Sequence, residues 1–210
     1  VNLAGRHSVV FNSLGEVQPV YEKLAEHHGE KSEGRGTYTF IEGDITNHEL
    51  LQKMFKEHQF DAVVHLGAMA GVPYSKKKPR LYSDVNVTGT VNLLELSKDH
   101  GVRKFLFASS SSVYGNREDR KVHEDDDVLK AVSVYGATKV AGETICHSFH
   151  QMFGLSIGVI RIFGPIYGPL QRAYGMLHQR ALNYVHNDKT LQIYGKYGLD
   201  TAKDSTYIED

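Results

Sequence analysis

The chain has 210 residues, of which 40% are hydrophobic and 23% are charged, and its formal net charge is −1. These values are typical of a globular domain with one sizeable core, and they do not favour binding to nucleic acid or to an anionic membrane. No apolar run approaches the roughly 20 residues that cross a bilayer as a helix. The single cysteine, Cys146, excludes an internal disulfide and favours a reducing, cytoplasmic compartment.

Short apolar runs alternate with helical patterns along the chain. Five runs carry apolar, β-branched or aromatic residues on consecutive positions, as parallel strands buried on both faces do. These runs are 8–11, 38–41, 62–66, 104–108 and 156–161. Helical patterns occupy 49–57, 88–98 and 134–153. The alternation predicts an α/β fold built on a Rossmann-like, doubly wound parallel sheet.

Two side chains in the longest helical pattern predict a general base. Tyr135 and Lys139 are four residues apart, so they project from one face of the helix. A phenol has an ordinary pKa of about 10, and a nearby ammonium favours its ionised form. The same spacing on an isolated helix would describe a surface tyrosine and a solvated lysine, so its meaning depends on what lies upstream.

A serine tract supplies that context. The fourth predicted strand runs directly into Ser109–Ser112, followed by Val113-Tyr114-Gly115. Open α/β sheets bind ligands beyond the carboxyl ends of their strands. A serine there can hydrogen-bond a substrate hydroxyl that the ionised tyrosine deprotonates. The tract and the Tyr–Lys pair together predict an active site.

Five segments resemble the extended short-chain dehydrogenase/reductase family, in particular its nucleotide-sugar epimerases and dehydratases. They are Gly43-Asp44-Ile45, His65-Leu66-Gly67-Ala68, Asn86-Val87-Thr88-Gly89-Thr90, Ser109–Gly115 and Tyr135–Lys139. The resemblance implies NAD as cofactor and a nucleotide-diphosphate sugar as substrate. It also implies a possible homodimer through the helices at 88–98 and 134–153. Neither composition nor motifs imply a nucleic-acid, membrane or metal partner.

The resemblance assigns roles to individual positions. Tyr135 is the general base, Lys139 its partner and the ribose anchor, and Ser110 the catalytic hydroxyl. The implied cofactor contacts are Tyr135 and Lys139 themselves together with Asn12, Asp44, Ile45, Leu66, Gly67, Ala68 and Asn86. The implied substrate contacts are Ser111, Ser112 and Lys203.

The ends of the sequence limit what the family pattern covers. The chain starts without Met, and the Gly-rich turn that binds a pyrophosphate is absent, so we expect the first β–α unit to be largely missing. A rise in glycine and proline after Arg161 predicts a domain change. We expect an NAD-binding domain at 1–162 and the beginning of a substrate-binding domain at 163–210.

The composition of the serine tract favours one type of reaction within the family. Dehydratases of the family carry an acid or carboxamide within this tract, because elimination needs an acid to protonate the departing hydroxyl. Only serines occur here, which favours 4-epimerisation through a transient 4-keto sugar. The turn Ala70-Gly71-Val72 and the tract look most like UDP-glucuronate 4-epimerases.

Four departures from the family pattern keep alternatives open. Pro73 replaces the usual arginine, which leaves UDP-glucose or UDP-galactose open as substrates. Asn12 replaces an acidic residue, Gly164 a polar substrate contact, and Lys203 an arginine that binds diphosphate. A sugar reductase, a dehydratase or a catalytically impaired cofactor-binding relative therefore remain alternative interpretations.

Overall fold

The computed structural model describes residues 8–12, 38–117, 121–128, 130–164, 166–167, 177–192 and 206–207. All five predicted strands are present there, and each strand pair among these residues is parallel. The five strands are β1 (Ser8–Asn12), β2 (Tyr38–Glu42), β3 (Ala62–His65), β4 (Lys104–Ser110) and β5 (Ser156–Ile162). The predicted α/β class with a parallel sheet is confirmed.

The strands form three sets. β1 pairs with β2, and β3, β4 and β5 form a sheet in that order. Two further strands, which the apolar pattern did not predict, are β6 (Ile166–Tyr167) and β7 (Thr206–Tyr207). They pair with each other and follow the predicted domain change at 162. The boundary itself stays a prediction.

The helices agree with the predicted patterns to within one residue at each end for all three long segments. In chain order they are α1 (His48–Glu57), α2 (Val72–Lys77), α3 (Pro79–Ser83), α4 (Gly89–Asp99), α5 (Val134–Phe153) and α6 (Leu177–His186). A π-helical turn, Asp84–Thr88, precedes α4, and a 3₁₀ turn, Ser111–Tyr114, follows β4. Both irregular turns lie beside the predicted active site.

The hydrophobic core lies between the β3–β4–β5 sheet and the helices α1, α4 and α5. Phe105 and Phe107 project from β4 into it, because alternate residues of a strand face the same side. Leu51 and Leu94 meet them from α1 and α4, and both are fully buried. On the opposite face of the sheet, Val64 and Ile160 are exposed. The core on this helix-covered face of the sheet therefore holds α5 against β4.

A buried histidine links β3 to α4. The His65 Nε2 atom lies 2.8 Å from the Thr90 hydroxyl, which itself donates to the Asn86 carbonyl over 2.6 Å. Because the threonine hydrogen is used there, His65 must donate from Nε2, so the ring is the neutral Nε2–H form. Burial, with a smaller contribution from the Lys139 charge, lowers the pKa of His65 to about 3.

Close contact between α5 and the sheet depends on a glycine. An added Cβ at Gly142 would lie 2.4 Å from the Phe107 ring carbon Cζ. Phe107 is itself buried between His65 and the helix, so its ring cannot withdraw easily. Gly142 thus sets the distance between α5 and β4.

We predict that Gly142→Ala destabilises the protein by about 1–3 kcal/mol, because overpacking against Phe107 outweighs the better helix propensity of alanine. Urea denaturation measures the change. Thr144→Ala, on the exposed side of α5, is the control and should shift stability little. A gain of stability in Gly142→Ala would contradict this close contact.

We predict that stability falls on acidification between pH 7 and pH 5, partly through His65. The unfolded histidine has a pKa of 6.5 and the folded one about 3, so the unfolded state binds more protons in this window. The contribution is present above pH 6.5 and is lost as pH falls towards 3. Its size from pH 7 to pH 5 is about 2 kcal/mol.

Denaturant titrations at the two pH values test this contribution. His65→Gln, which keeps a donor and cannot titrate, should lose less stability than the wild type over the same pH interval. His123→Gln replaces an exposed histidine and should behave as the wild type does. Equal losses in His65→Gln and wild type would show that His65 is not the titrating group.

Candidate active site

Lys139 is buried beneath the end of β4. Its side chain is only 5% exposed, and Nζ donates a 2.8 Å hydrogen bond to the Ala108 carbonyl. The ammonium also lies 5.0 Å from the centre of the Phe107 ring, a favourable cation–π distance. Burial lowers the pKa of Lys139 to about 8. The group therefore keeps its proton at neutral pH but holds it less firmly than a surface lysine.

Tyr135 lies in the first turn of α5, one turn before Lys139. Ser133 caps this helix by accepting the Gly136 amide over 3.0 Å, which fixes where the helix begins. The Tyr135 side chain is half-buried, and its ring meets the Tyr82 ring edge-on with centroids 6.3 Å apart. Its phenol is therefore held by ring packing on one side while part of the side chain stays accessible.

The serine tract turns sharply at the end of β4. Ser110 is the last residue of the strand, and its Oγ caps the following 3₁₀ turn by accepting the Ser112 amide over 3.2 Å. The hydroxyls of Ser110 and Ser112 are 3.3 Å apart. Gly115 ends the turn with φ of 68°, where an added Cβ would lie 2.4 Å from the Lys130 carbonyl oxygen. This turn holds Ser110, Ser111 and Ser112 together beyond the strand.

Direct packing brings the tract to the tyrosine helix. An added Cβ at Gly136 would lie only 2.7 Å from the Ser112 carbonyl oxygen. Gly136 is the neighbour of Tyr135, so the 3₁₀ turn touches the helix next to the predicted base. Together with the Lys139–Ala108 bond, this contact places the predicted catalytic residues Ser110, Tyr135 and Lys139 around one strand end.

Asn86 holds the loop after β3 rather than presenting a free side chain. It is buried in the π-helical turn, where its Oδ1 accepts the Met69 amide over 2.7 Å. Its Nδ2 donates to the Met69 carbonyl over 3.0 Å and to the Thr138 hydroxyl over 2.9 Å. π-helical turns are frequent at functional sites. Asn86 therefore orients the loop after β3, and its contact with a cofactor stays a prediction.

Tyr82 supports the same loop, and the sequence analysis missed it. Its side chain is fully buried, and its hydroxyl donates to the carbonyls of Ala70 and Gly71 at 2.7 and 2.8 Å. A tyrosine in the basic segment before the Asn86 motif gives no distinctive pattern. Only the fold shows that it reaches back to the turn after β3.

The remaining predicted cofactor contacts lie at the strand ends. Leu66 is exposed after β3, and Gly67 and Ala68 are half-buried. Asp44 accepts the amide and hydroxyl of Thr46 at 2.8 Å each, which shapes the turn after β2. Ile45 is buried, and its side chain would be 2.6 Å from a Cβ at Gly89. Ile45 thus packs in the core against Gly89, the first residue of α4.

Four positions depart from the family pattern, and the structure describes them to different extents. Asn12 ends β1 opposite Glu42, and its side chain lies outside the described residues. Lys203 also lies outside them. Gly164 has φ of 58°, a conformation that favours glycine and explains its presence in place of a polar side chain. Pro73 occupies the first turn of α2, where proline is well tolerated.

An ion pair beside the tract was also missed. Glu143, one turn after Lys139, accepts from Arg161 of β5, with Nη2 and Oε2 2.8 Å apart. The Ser109 hydroxyl donates to the same carboxylate. The hydrogen bonds that Arg161 donates to Glu143 raise the pKa of the Arg161 guanidinium. The signals for this pair were a charged residue in an apolar strand and a Glu at i+4 from Lys139.

The site residues fit the part of a dinucleotide that carries the reactive ring. The buried ammonium, the half-buried phenol and the backbone at 66–68 converge at strand ends, where such a ligand binds in open parallel sheets. In the part of the chain that the structure describes, no group of three His, Cys, Asp or Glu side chains could hold a metal ion. No described helix is long and apolar enough to cross a membrane.

Comparison with known proteins finds similar sequences that are named as sugar-nucleotide epimerases. UDP-glucuronate 4-epimerase of Thermodesulfobacterium geofontis is 41% identical over 173 residues, covering 82% of this chain and 52% of the relative. UDP-glucuronate 4-epimerase 1 of Arabidopsis thaliana is 40% identical over 178 residues, covering 84% of this chain and 41% of the relative. The chain thus spans about half the length of the curated relatives it matches.

The fold comparison agrees with the sequence comparison. The crystal structure of UDP-glucuronic acid 4-epimerase from Bacillus cereus, in complex with UDP-glucuronic acid and NAD, superposes with a TM-score of 0.80 at 32% identity. It covers 97% of this chain and 62% of that one. The family model described as the NAD dependent epimerase/dehydratase family matches residues 9–210. Because that match runs over almost the whole sequence, the chain belongs to the NAD dependent epimerase/dehydratase family.

Proposed function

We propose that the protein is an NAD-dependent nucleotide-sugar 4-epimerase, with a UDP-sugar as substrate. The observation that carries the proposal is the meeting of Tyr135, Lys139 and an all-serine tract at the end of β4. The names of the relatives favour UDP-glucuronate. Pro73 leaves UDP-glucose and UDP-galactose as the alternative, because a proline offers no positive charge to a uronate carboxylate.

The chain's own residues handle the proton of the sugar. Tyr135 takes the proton of the 4-hydroxyl onto its phenolate oxygen and returns it when the hydroxyl re-forms. Lys139 stabilises the phenolate by its charge, and Ser110 hydrogen-bonds the sugar oxygen while it changes from hydroxyl to carbonyl. NAD, when bound, supplies the acceptor and donor of hydride at C4. The 4-keto sugar presents its other face between the two hydride transfers.

Burial suits Lys139 to this role. A charge at the edge of a low-dielectric core acts on nearby polar groups more strongly than it would in water. With a pKa of about 8, Lys139 is mostly charged at neutral pH. Its bond to the Ala108 carbonyl uses one of three N–H donors, so two remain for the ribose of a bound dinucleotide.

The surroundings of the tract favour epimerisation over dehydration. Dehydration needs an acid that gives its proton to a departing hydroxyl. Among the described residues, the carboxylate that hydrogen-bonds to the tract is Glu143, and it accepts from Arg161 and Ser109. Ser110–Ser112 offer hydroxyls alone. The described groups at the tract therefore favour proton exchange at one oxygen over elimination.

Two finer properties belong to the same proposal. We propose a homodimer through α4 and α5, which lie side by side over the sheet, and sedimentation of the full-length protein measures it. We also retain the cytoplasmic location that the single cysteine favours. Neither property enters the chemistry above.

We predict that Tyr135→Phe lowers kcat for C4 inversion by about 100-fold or more, because the general base is lost while the ring remains. KM for the UDP-sugar should change by no more than a few-fold. The assay incubates the full-length protein with NAD and UDP-glucuronate or UDP-glucose and follows inversion by proton NMR. Tyr184→Phe, which removes a hydroxyl from α6, should retain wild-type activity.

Three outcomes would contradict the proposal. Loss of water from C6 instead of inversion at C4 would identify a dehydratase. Steady consumption of NADH or NADPH would identify a reductase, because an epimerase regenerates its cofactor in each cycle. Unchanged activity in Tyr135→Phe would identify a relative in which this tyrosine performs no chemistry.

A further inference from the structure

The ion pair between Glu143 and Arg161 joins α5 to β5 next to the serine tract. Arg161 Nε donates to both carboxylate oxygens, at 3.1 and 3.3 Å, and Nη2 donates to Oε2 at 2.8 Å. The planar guanidinium thus holds the carboxylate in one orientation, which a lysine could not do. Both side chains are largely buried, with 19% of Arg161 and 11% of Glu143 exposed.

The ion pair also contacts residues on either side of Ser110–Ser112. On one side, the Ser109 hydroxyl donates to Glu143. On the other, Arg161 Nη1 donates to the Tyr114 hydroxyl over 3.1 Å, and the guanidinium lies 5.0 Å from the Tyr114 ring centre. Ser110, Ser111 and Ser112 lie between these two points. The ion pair therefore contacts the turn on both sides of these three serines.

Arg161 also contacts the loop that follows the 3₁₀ turn. Its Nη1 also donates to the Glu124 carbonyl over 2.7 Å. In the sheet, Arg161 of β5 pairs with Ser109 of β4. The arginine therefore lies beside the first serine of the tract. Five hydrogen bonds donated by this one side chain thus reach a helix, a turn and a loop that meet at the active site.

Stability alone is a weak reason for such a pair. Removing two charges from water costs free energy that their attraction recovers only partly, and well-packed apolar residues often do as well. What a buried, hydrogen-bonded pair provides is fixed geometry. The geometry fixed here is that between the tract and α5, the helix that carries Tyr135 about two turns before Glu143.

We propose that Glu143 and Arg161 are positioning residues that hold Ser110 at the distance from Tyr135 that catalysis requires. The inference rests on the proposed epimerase function. Neither residue needs to touch the sugar. They act through Ser109 and Tyr114, the residues on either side of the hydroxyls that meet the substrate.

We predict that Glu143→Gln in the full-length protein lowers kcat for C4 inversion about 10- to 100-fold, with KM changed less than about threefold. The glutamine keeps the shape and an acceptor for Ser109 but loses the charge that orients Arg161. Arg161→Lys, which keeps the charge but loses the fork, should show the same split. Hydrogen exchange should accelerate in peptides covering 108–115.

The matched control is another arginine–carboxylate pair at the opposite end of β4. Arg103 donates to the Asp61 carboxylate, and these side chains are 67% and 40% exposed. Exposed ion pairs of this kind contribute little to the stability of the folded state. Arg103→Lys should leave kcat, KM and exchange at 108–115 unchanged.

A milder variant covers the case in which Glu143→Gln does not fold. Ser109→Ala removes one link to the carboxylate and leaves the ion pair in place, so a smaller fall in kcat at constant KM supports the proposal. Wild-type kcat together with wild-type exchange at 108–115 in the folded variants overturns it. A lower melting temperature with unchanged kcat per folded protein also overturns it, since the pair would then only stabilise.

The exchange measurement separates this proposal from the proposed function. If the wild type inverts neither UDP-glucuronate nor UDP-glucose, the epimerase proposal fails. Faster exchange confined to 108–115 in Glu143→Gln would still support positioning of the turn. Unchanged exchange would overturn positioning whatever the wild type catalyses.

Discussion

The bond from the Lys139 ammonium to the Ala108 carbonyl is the contact around which the site is organised. It places a buried charge below the end of β4 and fixes α5 at the height where Tyr135 meets the serine turn. Close packing makes this approach possible, since Gly142 admits the Phe107 ring and Gly136 admits the Ser112 carbonyl. A side chain at either glycine would move the helix away from the strand and separate Tyr135 from the tract.

The sequence was informative where chemistry and periodicity coincide locally. Consecutive apolar positions identified the strands, because both faces of a parallel sheet are apolar. The four-residue spacing identified Tyr135 and Lys139 as neighbours on one helix face. The tract next to a strand end predicted a cluster of hydroxyls there, and the family resemblance singled out Ser110 among them. Each of these inferences depends on residues within one element or at one junction.

The rest of the site depends on contacts between elements distant in the chain. Glu143 and Arg161 are 18 residues apart on a helix and a strand, and their charges alone gave no partner. Tyr82 reaches a loop 11 or 12 residues upstream. Asn86 faces inward because of a π-helical turn, which shifts the side-chain positions of an ordinary helix by an extra residue. Such pairings follow from tertiary packing rather than from local pattern.

The hydrogen bonds around Asn86 also determine where a proton can travel. His65 donates to Thr90, and Thr90 donates to the Asn86 carbonyl. On the other side, the Asn86 amide donates to Thr138, which donates to the Tyr135 carbonyl over 2.8 Å. Both chains end on peptide oxygens, which have no proton to pass on, and the neutral His65 resists taking one. Among the described residues this route offers no relay away from Tyr135, so a proton held by that tyrosine does not pass into the core through Asn86.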